Sequence, residues 1–172
     1  IDDVVQSFSD LSENKNIALK FKSNIDLLIA AFDKDKLEKI LFNLLSNAFK
    51  FTPENGQITV EVNCYDNDSS SEGIKIVEIK VKDTGIGIPK DKLDSVFERF
   101  FTSDIPESMV NQGSGIGLSI TKEFVKIHGG SIQAESNLGM GSCFTVVIPV
   151  KEIIGNSPIE VNKNVSYSYN ND

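Results

Sequence analysis

Asp33-Lys34-Asp35-Lys36-Leu37-Glu38-Lys39-Ile40-Leu41-Phe42 runs straight into Asn43-Leu44-Leu45-Ser46-Asn47-Ala48-Phe49-Lys50-Phe51. Leu37, Ile40, Leu41, Leu44, Leu45 and Ala48 recur at three- and four-residue intervals, so the spacing predicts a helix from about Asp35 to Phe51 with that arc in the core. Asp33 and Asp35 are candidate caps, and Pro53-Glu54-Asn55-Gly56 ends the helix in a turn. Beside the core arc, Asn43, Asn47 and Lys50 stand at i, i+4 and i+7, which places them on one narrow polar stripe. Asparagine inside a helix costs ~0.5 kcal/mol or more against alanine, so a stripe with no task would hold Glu, Lys or Gln. A carboxamide oxygen can ligate a hard cation such as Mg2+, and a lysine can neutralise phosphate. Two solvated asparagines on a surface face are the alternative that this helix alone leaves open.

Working outward, Val4, Val5, Phe8 and Leu11 predict a short helix over 4–11. Ile17, Leu19 and Phe21 alternate as a strand, and Leu27–Phe32 is an apolar run read as a second. Ile58, Val60 and Val62 predict a strand, residues 66–73 a solvated hairpin loop, and Ile74–Val81 the returning strand. A glycine-rich loop over Asp83–Pro89 and a short helix over Asp91–Phe97 follow; residues 102–112 lack periodicity and read as a mobile loop. A long helix is predicted from about Ser114 to His128, stopped by Gly129-Gly130. Ile132 and Ala134 begin a strand, residues 137–141 turn, and Cys143–Val150 closes the sheet with Pro149 at its end. This order suggests an α/β (α+β) two-layer sandwich, one sheet with helices stacked on one face.

The chain has 172 residues, 40% apolar and 24% charged, which suits one soluble domain able to bury its own core. With 17 basic against 25 acidic residues the net charge is −8, which argues against non-specific nucleic-acid binding but leaves room for a local nucleotide site of opposite sign. Cys64 and Cys143 are too few for a disulfide or zinc framework, and no apolar run approaches the ~18 residues that span a bilayer. The start at Ile1, without a signal pattern, reads as a fragment of a longer protein. Residues 1–150 form the expected domain. Eight of the 22 residues in 151–172 are Asn or Ser, so that segment reads as a linker or disordered tail; the alternation of Val165, Tyr167 and Tyr169 offers an edge strand as the alternative.

Two loops carry the chemistry. Asp83-Thr84-Gly85-Ile86-Gly87-Ile88-Pro89 follows a strand directly; its glycines permit positive φ and close backbone approach, and Asp83 at the strand end could accept from an exocyclic amine. Gly113-Ser114-Gly115-Ile116-Gly117-Leu118 runs into the long helix, whose free N–H groups and dipole favour an anion by ~0.3–1 kcal/mol per exposed charge. Three alternate glycines there weaken the helix by about 1 kcal/mol each where truly helical, a cost that phosphate binding would explain. A P-loop would need lysine where Leu118 stands, and a dinucleotide fingerprint would need glycine there. A protein-kinase glycine loop would need glycine at Lys90.

Taken in order, these stretches resemble the sensor histidine kinases. Residues 43–51 resemble their N box, 83–89 the G1 box, Phe97-Glu98-Arg99-Phe100-Phe101 the F box and Gly113–Leu118 the G2 box; His128–Ile132 and Gly139–Phe144 resemble the closing segment. Phe8–Glu13 with Ile17–Phe21 is similar to the linker and first strand of such a kinase, with 1–14 the end of a linker helix.

The resemblance implies a Bergerat ATP-binding fold, with a mixed sheet, and ATP with Mg2+ as cofactors. It implies that Asn47 holds Mg2+, with Asn43 and Lys50 near the phosphates and Phe51 beside adenine. Asp83 would bond the adenine amine, with Gly85, Gly87 and Ile88 around the base. Gly113, Ser114, Gly115, Ile116, Gly117 and Leu118 would wrap the triphosphate beneath a lid at 102–112. Phe97, Phe100 and Phe101 are expected to pack, and Arg99 to be solvated or to anchor the lid. The γ-phosphoryl group would go to a histidine on a separate dimerisation domain, then to a response-regulator receiver domain, in a homodimeric, membrane-bound parent whose catalytic part is cytoplasmic. His128, in a last helical turn before two glycines, reads as a helix C-terminus stabiliser and not as the phosphoacceptor. ATP-hydrolysing machines that share the fold (gyrase, the ninety-kilodalton heat-shock chaperone, MutL) carry a glutamate four residues before the metal asparagine. Asn43 stands there, and an amide cannot take a proton. A hydrolase, or a nucleotide sensor without catalysis, remains the alternative.

Overall fold

A computed structural model describes residues 1–67, 73–100 and 115–153. Two short helices open the chain, α1 (Asp2–Gln6) and α2 (Ser9–Asn14), where one was expected over 4–11. The break has a local cause. Ser7 Oγ donates back to Val4 O at 2.6 Å, and Phe8 leaves helical geometry (φ −95°, ψ 3°) to enter the core. There its ring stacks on Phe49 at 5.5 Å and tilts against Phe42 at 5.2 Å.

Strand β1 (Ala18–Ser23) pairs in parallel with β3 (Gln57–Asp66), Ala18 opposite Gln57. All other pairings are antiparallel: β3 with β4 (Ile74–Asp83), and β4 with β6 (Gly141–Glu152), Lys82 opposite Cys143. The far edge of β6 is shared by β5 (Ser131–Asn137) and β2 (Ala30–Ala31). The sheet is therefore mixed, and the expected strand over 27–32 is cut to two residues, Ala30 opposite Glu152 and Ala31 opposite Lys151, at the very end of β6. Pro149 falls in the gap between the two neighbours, where no outer ladder bond is lost, and β6 continues past it to Glu152.

Helix α3 (Lys34–Phe51) starts where Asp33 Oδ1 accepts from Lys36 N at 3.1 Å; Asp35 lies inside the first turn and caps nothing. At its other end Thr52 N reaches Ala48 O, and the Lys15 ammonium donates to Phe49 O at 3.1 Å. Its buried residues are Ile40, Leu41, Leu44, Leu45, Ala48 and Phe49, with Leu37 only partly buried. They face Ile58, Val60, Ile79, Val81, Phe144 and Val146 of the sheet. Leu45 is fully buried, so Leu45→Ala would cost about 2–5 kcal/mol. Helix α4 (Gly117–Ile127) packs beside α3 and buries Val125 in the core. The opposite sheet face is polar and carries the ion pairs Lys22–Glu61 and Lys80–Glu78. The fold is thus an α/β two-layer sandwich. A 3-10 helix over Lys90–Ser95 replaces the expected short helix over 91–97. The predicted loop at 102–112 and nearly all of the 151–172 segment, beyond Ile153, lie outside the described residues.

Candidate functional site

The sheet ends β4 and β6 lie side by side, and Asp83 stands at the end of β4, only 5% exposed. Its Oδ1 accepts from Gly85 N at 2.8 Å and Ser142 N at 3.3 Å. Burial pushes the carboxyl above its usual value, and these two N–H groups pull it part of the way back. Among the described residues no hydrogen bond reaches Oδ2, so one carboxylate oxygen stays available to a donor. The following loop is laced to its neighbours. Ile86 N donates to Phe51 O (3.1 Å), Gly139 N to Ile86 O (2.7 Å), and Ile88 N to Ser136 Oγ (2.8 Å). A Cβ on Gly85 would meet Phe51 O at 2.4 Å, and one on Gly87 (φ +71°) Asn137 O at 2.1 Å. These glycines therefore make room for protein backbone first, bringing the end of α3 and the β5–β6 turn against the loop.

The α3 stripe divides in two. Asn43 Nδ2 donates to Gly117 O and Thr121 Oγ1, both at 3.2 Å, and Thr121 Oγ1 donates to Gly117 O at 2.9 Å. Asn43 thereby ties α3 to the first turn of α4. One turn later, the half-buried Asn47 carboxamide makes no hydrogen bond among the described residues. The Lys50 ammonium lies 4.7 Å from the Phe51 ring centroid, has no carboxylate partner among the described residues, and is pushed below its usual pKa by desolvation. No group of three or more His, Cys, Asp or Glu among the described residues gathers to hold a metal. A Mg2+ ion takes one or two protein oxygens and fills its sphere with water and phosphate, so the free carboxamide of Asn47 fits such an ion.

Gly115 (φ +66°) accepts from Phe100 N at 3.1 Å. Ile116 precedes a helix whose first residue is Gly117, three residues later than expected, and Leu118 packs partly into the core. The first intrahelical bond is Ile120 N to Ile116 O, so the amides of Gly117, Leu118 and Ser119 have no intrahelical acceptor, as anion binding needs. Gly113 and Ser114 lie outside the described residues. The arrangement sets a buried acceptor at one end and free amides, a carboxamide and a desolvated ammonium at the other.

Residues 32–152 match the model of the histidine kinase-, DNA gyrase B- and HSP90-like ATPase family. The chain belongs to this family. Sensor histidine kinase WalK of Bacillus subtilis is 39% identical over 73% of this chain and 20% of its own length. Full-length ShkA in complex with AMPPNP matches with a TM-score of 0.72 at 27% identity, over 88% of this chain and 29% of that one. Histidine kinase ThkA in complex with response regulator protein TrrA matches with a TM-score of 0.66 at 28% identity, over 86% and 38%. The chain spans between 9% and 20% of the length of curated relatives that it matches.

Within the family frame some expectations change. Phe97 packs edge-on against Phe144 at 6.2 Å with the Lys122 ammonium over its ring, but Phe100 does not pack: it is 72% exposed at φ +62°. Its backbone is turned to reach Gly115, which leaves the ring outside. Arg99 is exposed, and Phe101 lies outside the described residues. His128 Nδ1 lies 2.7 Å from Phe124 O, a last-turn carbonyl of α4, and the ring stacks on Phe32 at 4.1 Å. Thr121 and Ser136 were given no role in the sequence, and Gly141 and Ser142 were placed only within the closing segment, with no role of their own. Ser136 had a signal: it shares the inward register of Ile132 and Ala134, where a polar side chain needs a reason.

Proposed function

We propose that this chain is the ATP-binding catalytic domain of a sensor histidine kinase, which positions Mg-ATP so that its γ-phosphoryl group passes to a histidine on another domain. Asp83 Oδ2 takes the adenine amine, with Gly85, Gly87, Ile88 and Phe51 around the base. The phosphates are assigned to the loop of Gly113, Ser114, Gly115, Ile116, Gly117 and Leu118, of which the first two lie outside the described residues and the last offers its backbone amide. Asn47 holds Mg2+, with Asn43 and Lys50 beside it. When bound, the ion neutralises phosphate charge. The protein's own work is to orient the nucleotide and exclude a reacting water, which is most of what phosphoryl transfer asks of it.

The observation that carries the kinase reading over hydrolysis is the state of Asn43. Its amide hydrogens are committed to Gly117 O and Thr121 Oγ1, and an amide offers no base to activate water. The acceptor histidine belongs to a dimerisation domain, and a response-regulator receiver domain takes the phosphoryl group next; the ThkA–TrrA complex is the relative that suggests this partner. The parent is read as a homodimer, anchored in a membrane with this domain in the cytoplasm. No described helix is long and apolar enough to cross a membrane. Residues 1–150 are read as the domain, and 151–172 as linker or tail.

Calorimetric titration with AMPPNP and Mg2+, paired with incubation in γ-labelled ATP, tests the assignment. Saturable binding, slow hydrolysis and no label on the chain are expected. Acid-labile label on His128, hydrolysis at the rate of a dedicated ATPase, or no nucleotide binding would each defeat it.

A further inference from the structure

We propose that Ser136 sets the base specificity of this site by fixing the direction of the Ser142 hydroxyl proton. The inference rests on the assignment of Asp83 to the base. Ser136 Oγ has three neighbours at hydrogen-bonding distance: Ile88 N at 2.8 Å, Gly141 O at 2.7 Å and Ser142 Oγ at 3.0 Å. Its hydroxyl owns one proton and two lone pairs. A carbonyl can only accept, so the proton goes to Gly141 O. The amide of Ile88 can only donate, so it takes one lone pair. The remaining lone pair must receive the Ser142 proton, since the reverse arrangement would need a second hydrogen on Ser136.

Ser142 is thus held as a donor to Ser136 and has only lone pairs left to offer elsewhere. It is 8% exposed and adjoins Asp83, whose Oδ1 accepts the Ser142 amide. The carboxylate is likewise an acceptor. The base end of the site therefore presents acceptors on both side chains. It accommodates a base bearing an exocyclic amine and repels one bearing a carbonyl at the same place, because a buried acceptor facing an acceptor leaves both without a partner. Ser136 touches no ligand in this scheme. It is a positioning residue acting through Ser142, and through Ile88 N it also fixes the loop that carries Gly85 and Gly87.

The test compares the affinities of the 172-residue chain for ADP and inosine diphosphate, which differ in amine against carbonyl at C6. In Ser136→Ala the Ser142 hydroxyl is free to turn its proton toward the base. The ratio of the two dissociation constants should then fall about tenfold, the size of one hydrogen bond exchanged for a repulsion. Ser136→Thr keeps the hydroxyl and should keep the wild-type ratio, whereas a merely structural role would make Ser136→Ala weaken both nucleotides alike and leave the ratio unchanged. Should Ser136→Ala fail to fold, Ser142→Ala asks the same question directly, since it removes the oriented lone pair and should lower the ratio similarly. An unchanged ratio in Ser136→Ala or Ser142→Ala, or a lost ratio in Ser136→Thr, overturns the proposal while the nucleotide assignment stands. Failure of the wild-type chain to bind ADP at all would overturn both.

Discussion

The two ends of the site are built to opposite rules. At the base end four backbone amides are tied down: Gly85 N to Asp83, Ile86 N to Phe51 O, Ile88 N to Ser136 and Gly139 N back to Ile86 O. At the other end, Asn47 and Lys50 have no hydrogen-bond or ion-pair partner among the described residues, and the first amides of α4 have no intrahelical acceptor. The difference follows from the ligands each end would meet. A flat, neutral base is discriminated by a rigid pattern of donors and acceptors. A triphosphate with its metal brings its own charge and its own waters, and needs mainly uncommitted dipoles and a cation nearby.

The sharpest way to break this contrast is to add one carbon at the rigid end. A Cβ on Gly141 would fall 2.0 Å from Asp83 O, on a residue held at φ +89°. Both the crowding and the left-handed backbone oppose it, so Gly141→Ala should lose about 2–5 kcal/mol and unfold at a markedly lower temperature in a thermal melt followed by circular dichroism. Stability within 0.5 kcal/mol of wild type would show that the β5–β6 turn is not clamped on Asp83.

Next in size is the charge at that end. Asp83→Asn keeps an oxygen for Gly85 N and Ser142 N but replaces the free acceptor with an NH2 group. Nucleotide affinity by calorimetry should fall tenfold or more, the value of a hydrogen bond to a charged group being about 1.5–3 kcal/mol. Stability should move the other way. The folded carboxyl has its pKa raised by burial, so the folded state keeps its proton to higher pH than the unfolded chain does. Wild-type stability is therefore lost as pH rises from the ordinary carboxylate value of about 3.9 through the raised one. Asp83→Asn should melt higher than wild type at neutral pH, and this advantage should vanish in acid. A variant that melts lower than wild type at neutral pH would mean that the charge itself, and not just an acceptor, holds the loop.

Much of the rigid end's framework was legible in the sequence, and its wiring was not. Helix α3 was readable because cap, apolar arc and terminating turn all agree, and β3, β4 and β6 because their apolar residues keep a period of two. The split at Phe8, the two-residue β2 and the late start of α4 were not readable. Each involves a partner distant in sequence: the Phe49 ring, the end of β6 at Lys151 and Glu152, and the Asn43 carboxamide on Gly117 O. Of the site, the stripe on α3 and both glycine loops stood out through residue types that a helix or strand would not choose for itself. The roles of Ser136 and Ser142 were not legible, because serine is ordinary at a strand end and only the contact between them gives either a direction.

At the open end, removing the carboxamide should separate binding from folding. Asn47→Ala deletes a carboxamide that makes no hydrogen bond among the described residues and places a better helix former in α3, so its melting temperature should match or slightly exceed wild type. Its affinity for AMPPNP should lose most of its dependence on Mg2+ in parallel titrations with and without the ion. Equal Mg2+ dependence in variant and wild type would remove Asn47 from the metal.

The smallest effect is the most discriminating. A Cβ on Gly117 would meet only the Asn43 side chain, at 3.5 Å, ordinary van der Waals contact. Alanine is preferred over glycine in a helix by about 0.5–1 kcal/mol, so Gly117→Ala should stabilise the fold slightly, the reverse of Gly141→Ala. A phosphate approaching the first turn of α4 would, however, meet the new methyl group in front of the amides it needs. The variant should therefore combine a higher melting temperature with weaker binding of AMPPNP. If it bound the nucleotide as tightly as wild type, the start of α4 would not be where the phosphates lie.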